Sequence, residues 1–368
     1  MSNIEKLLTQ LCPDGVTYLP LKDVADIKNG KDYKHLGAGN ISVYGSGGKM
    51  DVKVDAAAYD KPTVLLPRKG SISNIFYVDE PFWNVDTIFY TIIDTARMIP
   101  RFLYYVMLNE HIENLGTSSA ARPSLTQSVL KEILVPVPPL KVQQEILRIL
   151  DTFTELESEL ESELELRKIQ FNFYKGKLFA FMTNAEWLEL GDLVNILDTQ
   201  RKPVTRGDRE SGQIPYYGAN GIQDYVKHFI FDGTFLLVGE DGSVLTEAGK
   251  PVLNWATGKI WVNNHAHILE QRENKPMLRY IMYALSSIDI SELVHGTPPK
   301  LTQKSLRTIR VPVPSLAEQQ RIIDILDRFN LLTTSSTDGL PAEIAARHQQ
   351  YEYYRNKLLD FPRKKTEA

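Results

Sequence analysis

The 368-residue chain has a single cysteine, Cys12. That excludes an internal disulfide and any cysteine-based zinc cluster, and it fits a reducing compartment. No apolar run approaches the ~18–20 residues that span a bilayer. The opening stretch, "MSNIEKLLTQLCPDG", is too polar for a secretory leader, so a cytoplasmic setting is expected. Neither sign of charge dominates: 42 Lys and Arg stand against 46 Asp and Glu, a net of −4, and the bulk shows no nucleic-acid footprint. Regions are as balanced as the whole, with 13 basic and 13 acidic side chains in residues 17–138 and 14 of each in residues 187–314. A claim about nucleic acid must therefore rest on local arrangement.

Signatures of catalysis are missing too. "GSGGKM" (residues 45–50) lacks the spacing and final hydroxyl of a phosphate loop. No Asn/Asp-Pro-Pro-aromatic tetrapeptide of amino-methyltransferases occurs; "TPPK" (297–300) is the nearest. "YGSGG" lacks the frame of a nucleophile elbow. Glu240 and Asp241 in "GEDGS" have no lysine at nuclease spacing and read as a turn. His265 and His267 in "NNHAH" alternate as two ligands on one side of a strand would, but no second cluster accompanies them, so a polar role and no metal are expected.

What the chain does have is a repeat. "VPVPPLKVQQEILRILDTF" (135–153) returns as "VPVPSLAEQQRIIDILDRF" (311–329), with 12 of 19 positions identical at an offset of 176. Upstream, "PSLTQSVLKEILVPVP" (123–138) matches "PKLTQKSLRTIRVPVP" (299–314), and "FLYYVML" (102–108) resembles "LRYIMYAL" (278–285). "YLPLKDVADI" (18–27) resembles "WLELGDLVNI" (187–196), "YGSGG" (44–48) resembles "YGANG" (217–221), and "YKGKLFAF" (174–181) resembles "YRNKLLDF" (354–361). Block order is preserved, and offsets drift by a few residues, as loop insertions would make them.

Each half reads as a globular unit followed by a helical arm. Short runs rich in β-branched and aromatic residues, such as "PTVLLP", "TIFYTII" and "GTFLLVG", are bounded by Gly, Pro and Asp and precede helical segments, which predicts an α+β unit. In the first arm Ile149, Phe153, Leu156 and Leu160 form a heptad seam while glutamates crowd the other faces. The second arm repeats the seam at Ile325, Phe329 and Leu332, is interrupted at Asp338, Gly339 and Pro341, and then resumes. Two arms with like seams are expected to pair as an antiparallel coiled coil, in a cyclic, pseudo-two-fold arrangement that puts the N-terminal helix near the end of the second arm. The expected boundaries are an N-terminal helix at 1–16, a globular domain at 17–138, a central arm at 139–186, a second globular domain at 187–314 and a C-terminal arm at 315–368.

The doubled "VPVP.L..QQ.I..IL" segment, "GLPAEIAARHQQYEYYRNKLL", "LCPDGVTYLPL" and the alternation of variable units with helical arms resemble the specificity subunit of type I restriction-modification systems. The resemblance covers essentially the whole chain. It implies that the globular units are target-recognition domains, each reading half of a split DNA sequence. It implies that the arms set the unspecified spacer and dock two methyltransferase subunits, and that restriction (endonuclease and translocase) subunits join them. This chain would then catalyse nothing and carry no cofactor; S-adenosylmethionine, ATP and magnesium would sit on the partners, whose complex methylates adenine and cuts DNA. A split site needs two readers at a set separation along the duplex, which rigid helices supply.

Candidate DNA contacts follow from the loops. Arg68, Lys69 and Ser71 end a strand beside Gly70, where backbone and cations can meet phosphate. The matching segment of the second unit is acidic and offers Asp241 and Ser243. Tyr44, Ser46 and Lys49 in one glycine-rich turn correspond to Tyr217 and Asn220 in the other. Asn84, Asn263, Asn264 and His265 stand beside tryptophans that read as core. Arg122 and Lys300 precede the proline-led arms. The alternatives are a coiled-coil adaptor with two protein-binding heads, an enzyme with an unfamiliar site, and the specificity subunit of a related type II-like system; the adaptor predicts no salt-sensitive DNA affinity.

Overall fold

The repeated Val-Pro-Val-Pro segment is a short strand in both halves, and it closes the neck of each globular head. The computed structural model describes residues 3–116, 124–180, 182 and 185–364. The chain divides into two units, Met1–Leu160 with Ile344–Ala368, and Glu161–Glu343. Among the described residues no helix is long and apolar enough to cross a membrane.

The first unit begins with helix α1 (Asn3–Leu11) and strands β1 (Tyr18–Pro20), β2 (Ala25–Asn29), β3 (Ala38–Gly45), β4 (Gly48–Val54), β5 (Thr63–Pro67), β6 (Phe76–Val78), β7 (Phe82–Asn84) and β8 (Ile88–Ile93). Helices α2 (Pro100–Asn109) and α3 (Gln127–Lys131), strand β9 (Leu134–Pro136) and the long helix α4 (Leu140–Ala180) follow. The strands form a four-stranded sheet in the order β2-β8-β5-β6 and a three-stranded sheet β4-β3-β7, in which β7 runs parallel to β3. The neck pairs β1 with β9, Leu19 facing the fully buried Val135.

The second unit has strands β10 (Glu186–Glu189), β11 (Val194–Ile196), β12 (Ser211–Gly218), β13 (Gly221–Val226), β14 (Phe231–Gly239), β15 (Leu253–Val262), β16 (Ala266–Gln271) and β17 (Arg310–Val313). Its helices are α5 (Leu190–Leu193), α6 (Leu278–Leu285), α7 (Gln303–Arg307), α8 (Leu316–Thr334) and α9 (Leu340–Leu359), the last of which continues into the first unit. Its main sheet has six strands, β11-β16-β14-β15-β12-β13, and its neck pairs β10 with β17. The repeated Leu-Thr-Gln is a helix start in both copies: Thr126 accepts from the Val129 N–H, and Thr302 from the Ser305 N–H at 3.1 Å.

Arm and head share one core in each unit. The seam residues Ile149, Phe153, Leu156 and Leu160 are only half-buried, as are Ile325, Phe329 and Leu332. A second face, which the heptad reading did not separate, lies deeper. Val142, Ile146 and Leu150 are fully buried against the first head, and Ile322 and Leu326 against the second. Each such side chain contributes about 1.5–3 kcal/mol. The half-buried face meets the other arm. In the first unit Phe153 stacks on Tyr354, centroids 5.4 Å apart, and Glu157 meets His348 at 3.2 Å; the numbers rise on α4 as they fall on α9, so the helices are antiparallel. In the second unit Phe171 and Tyr174 of α4 flank Phe329 of α8.

The break in the second arm lies between Thr334 and Leu340. A Cβ on Gly339 would come within 2.5 Å of the Leu331 carbonyl, so only glycine fits that turn. Pro341 occupies the first turn of α9, where its missing N–H costs nothing. At the other end of the first unit, Val16 N–H donates to the Pro362 carbonyl at 2.8 Å and Lys364 N–H to Val16, which brings the segment after α1 to the end of α9.

Candidate nucleic-acid interface

In the first head three loops meet at Thr87. The N–H groups of Arg68 and Lys69, just past β5, donate to the Thr87 carbonyl at 2.9 and 3.2 Å. Thr87 Oγ1 accepts from Ser46 N–H in the β3–β4 turn at 3.2 Å, and Asn74 Nδ2 donates to the Ser46 carbonyl. Gly70 adopts φ +85, a left-handed backbone that favours glycine, with Ser46 Oγ 3.1 Å from where a Cβ would sit. Arg68 lies over the Phe89 ring with its guanidinium on the Asp86 carbonyl, while Lys69 and Ser71 are exposed. Lys49 is exposed and pairs with Glu80 at 3.3 Å, a surface contact worth little and easily exchanged for phosphate. Tyr44 is half-buried edge-on to Phe82 and forms the floor beneath this tip; burial pushes its phenol above the usual range. Thr87 and Asn74, which organise the tip, carry no motif and escape sequence reasoning.

The second head builds the equivalent tip from different chemistry. Past β14, Glu240 N–H donates to the His265 carbonyl at 2.8 Å and Gly242 N–H to Pro299 at 3.0 Å; Asp241 bridges to Lys300 in antiparallel fashion. The structure thus brings Asp241, His265 and Lys300 together, with His265 Nδ1 on the Asp241 carboxylate. Asn264 and Ser243 are exposed beside them, and Asn220 is exposed at the β12–β13 turn. Tyr217 is half-buried like Tyr44, with its phenol likewise pushed up by burial.

Beneath this tip lies a buried ionic network. His267 is fully buried, with Nδ1 2.7 Å from Asp198 and Nε2 2.8 Å from the Leu301 carbonyl. Asp198 also accepts from Gln303 at 2.9 Å and from the Ile268 N–H at 3.1 Å. Burial pushes the Asp198 carboxyl up, but the bonds from His267 and Gln303 and the Arg201 charge outweigh it and hold it below the usual range. Arg201 bridges to Glu240 and to the Ala266 carbonyl, and Lys300 meets Glu240 at 3.3 Å. Asp198, Glu240 and His267 are close enough to share a cation, but the Arg201 guanidinium already answers their charge. His265 and His267 do not converge: one is exposed on Asp241, the other buried on Asp198.

Two of the sequence candidates point inward. Asn84 is fully buried and donates to the Ile88 carbonyl; Asn263 is buried, accepting from His265 N–H and donating to Gln223. Their amides hold the turns that present neighbouring residues. The adjacent tryptophans do the same work, Trp83 donating its indole N–H to the Lys31 carbonyl at 2.8 Å and Trp261 to Lys202 at 2.6 Å. Arg122 lies outside the described residues.

A family model described as the type I restriction modification DNA specificity domain matches this chain twice, over residues 13–166 and 182–346. A Haemophilus influenzae chain inferred to be a type I restriction enzyme specificity subunit is 40% identical over 183 residues, 48% of this chain and 47% of that one, so the match spans about half its length. The Escherichia coli type I restriction enzyme EcoR124I/EcoR124II specificity subunit is 30% identical over 299 residues, 74% of each chain. In fold, the chain is similar to the S subunit of a type I restriction-modification system from M. genitalium, with a TM-score of 0.59, 22% identity and 94% of this chain and 96% of that one covered. A chain solved in a study of complex assembly in the type I system gives a TM-score of 0.63 at 15% identity, over 94% and 97%.

Proposed function

Because this chain belongs to the family of type I restriction-modification DNA specificity proteins, we propose that it is the sequence-reading subunit of such a complex and that its two heads, residues 17–138 and 187–314, each read one half of a bipartite DNA target. The observation that carries the reading is the contrast between the two tips. Neck strands, helix starts and arm-facing contacts recur at matching positions in both halves, whereas the tip at Arg68, Lys69 and Ser71 is basic and that at Asp241, Ser243, Asn264, His265 and Lys300 is mixed. Two readers of different half-sites need a common scaffold and different edges.

The basic first tip suits phosphate, with Lys49 and Ser46 beside it; the second offers donors and a carboxylate suited to base edges. The arms, residues 139–186 and 315–368, set the spacer and dock two methyltransferase subunits, to which restriction subunits are added. Chemistry resides on those partners, with their S-adenosylmethionine, ATP and magnesium, and this chain supplies position alone. Methylome sequencing of a host expressing the partner subunits, with and without this chain, tests the reading. A bipartite methylated motif that appears only with the chain is expected; an unchanged methylome would overturn it.

A further inference from the structure

The doubled Gln-Gln of the arms and the aromatic helix before it make one joint, built twice. Gln143 of α4 is fully buried and Gln319 of α8 nearly so. The Gln143 carbonyl accepts from the Ile99 N–H at 2.8 Å, and its amide donates to Arg97 and Pro138 carbonyls at 2.7 and 2.8 Å. Gln319 accepts from the Met277 N–H at 2.9 Å and donates to the Pro314 carbonyl at 2.9 Å. Ile99 and Met277 are the residues that open head helices α2 and α6, so an arm side chain caps the head in each unit.

About two turns along each arm, a second contact repeats. Arg101 and Tyr105 of α2 both donate to Asp151 of α4, at 2.9 and 3.0 Å. Arg279 and Tyr283 of α6 both donate to Asp327 of α8, the arginine at 2.8 Å. Burial pushes the phenols of Tyr105 and Tyr283 up, so both remain donors. A latch at one point and a charged clamp about two turns further on hold a helix against rotation as well as sliding. Apolar packing alone is non-directional and supplies no such register.

We propose that Gln143 with Arg101, Tyr105 and Asp151, and Gln319 with Arg279, Tyr283 and Asp327, are positioning residues that transmit the geometry of the arms to the heads and so fix the spacer length that the chain accepts. The proposal rests on the DNA-reading function above. It assigns spacer strictness to the joint of each head as well as to arm length, and it explains why the joint recurs residue for residue between heads whose tips differ.

The test uses the full chain assembled with its methyltransferase subunits, acting on plasmids that carry the natural half-sites with spacers lengthened or shortened by single base pairs. The variants are Gln143→Met and Asp151→Ala, with Asp151→Asn keeping an acceptor for Arg101 and Tyr105. Val54→Ala, buried in β4 in a core cluster separate from the one that arm and head share, serves as a control of lowered stability. Wild type is expected to methylate one spacer length. Gln143→Met and Asp151→Ala should raise methylation at spacers one base pair off by about tenfold, the scale of one mismatched base pair, with half-site bases unchanged. Asp151→Asn should restore most of the strictness, and Val54→Ala should stay strict. Joint variants as strict as wild type, or a control as relaxed as they are, would overturn the joint alone. A wild-type chain giving no bipartite motif would overturn the DNA-reading function and the joint's role with it.

Discussion

The two heads solve one problem with different backbones. In the second, β15 is a continuous ten-residue strand whose first part pairs with β14 and whose end pairs in parallel with β12, so six strands make one sheet. In the first, the corresponding stretch is interrupted by Asp79, Glu80 and Pro81 into β6 and β7, and the sheet falls into two. Proline has no N–H for a ladder and breaks the strand there. The tips nevertheless emerge in equivalent places, because β7 keeps its parallel pairing with β3. What the difference teaches is which parts a head must keep. Strand continuity is dispensable; the neck, the capped helix starts and the arm-facing helix are not.

A similar contrast lies at one repeated glutamine. Gln127 donates to the exposed Asn29 at 3.2 Å, while its counterpart Gln303 donates to the buried Asp198, which also holds His267. One head uses a surface amide pair where the other has an ionic core.

The largest effect should come from exchanging heads. Replacing residues 17–138 with the same unit of a relative should change one half of the methylated motif completely and leave the other half intact, as read by methylome sequencing; a change in both halves would deny that the heads are independent. Next, Asp198→Ala should cost the second unit about 3–5 kcal/mol by removing the buried carboxylate that bonds His267, Gln303 and the Ile268 N–H. Asn29→Ala should cost the first unit less than about 1 kcal/mol. Hydrogen exchange resolved by unit would show equal losses if the comparison is false.

The Asp198 carboxyl also sets a pH dependence. Its folded value lies below the unfolded one, so its stabilisation is complete above about pH 4, the ordinary aspartate value, and is lost as pH falls through the folded value. Asp198→Asn should therefore flatten the acid limb of the second unit's stability and leave that of the first unchanged, measured by urea unfolding from pH 6 downward. A smaller effect is expected at the first tip. Lys69→Ala should weaken binding to all sequences alike and lower the slope of log affinity against log salt by about 1. Weakening confined to one half-site position would make Lys69 a base reader instead. Lys49→Gln should be the mildest, with thermal stability unchanged, since its pairing with Glu80 is exposed.

Much of the scaffold was legible because repetition amplifies it. The doubled Val-Pro-Val-Pro and Gln-Gln stretches marked the units, and the seam at Phe153 and Phe329 is where the arms do meet aromatic partners. Periodicity could not show that α4 carries a second, deeper face at Val142, Ile146 and Leu150, because a helix buried on two sides blurs its own stripe. Nor could it show what the glutamines hold. The second head's ionic network stayed hidden for another reason: Asp198, Glu240, His267 and Gln303 come from four separate segments, and the sequence paired Glu240 with Asp241 and His267 with His265 rather than with Asp198 or Gln303. Asn84 and Asn263 were misleading in the opposite sense, since a polar residue beside a tryptophan suits a buried turn as well as an exposed edge.

The backbone pairing of Val16 with Pro362 and Lys364 has a consequence for genetics. Early and late stretches of the polypeptide already lie within hydrogen-bond distance inside the first unit. A short peptide spanning that gap would close the first unit's backbone on itself, and a break at the exposed turn 336–338 would interrupt no strand. The order in which the segments are translated is then a property of the gene, and folding can be indifferent to it.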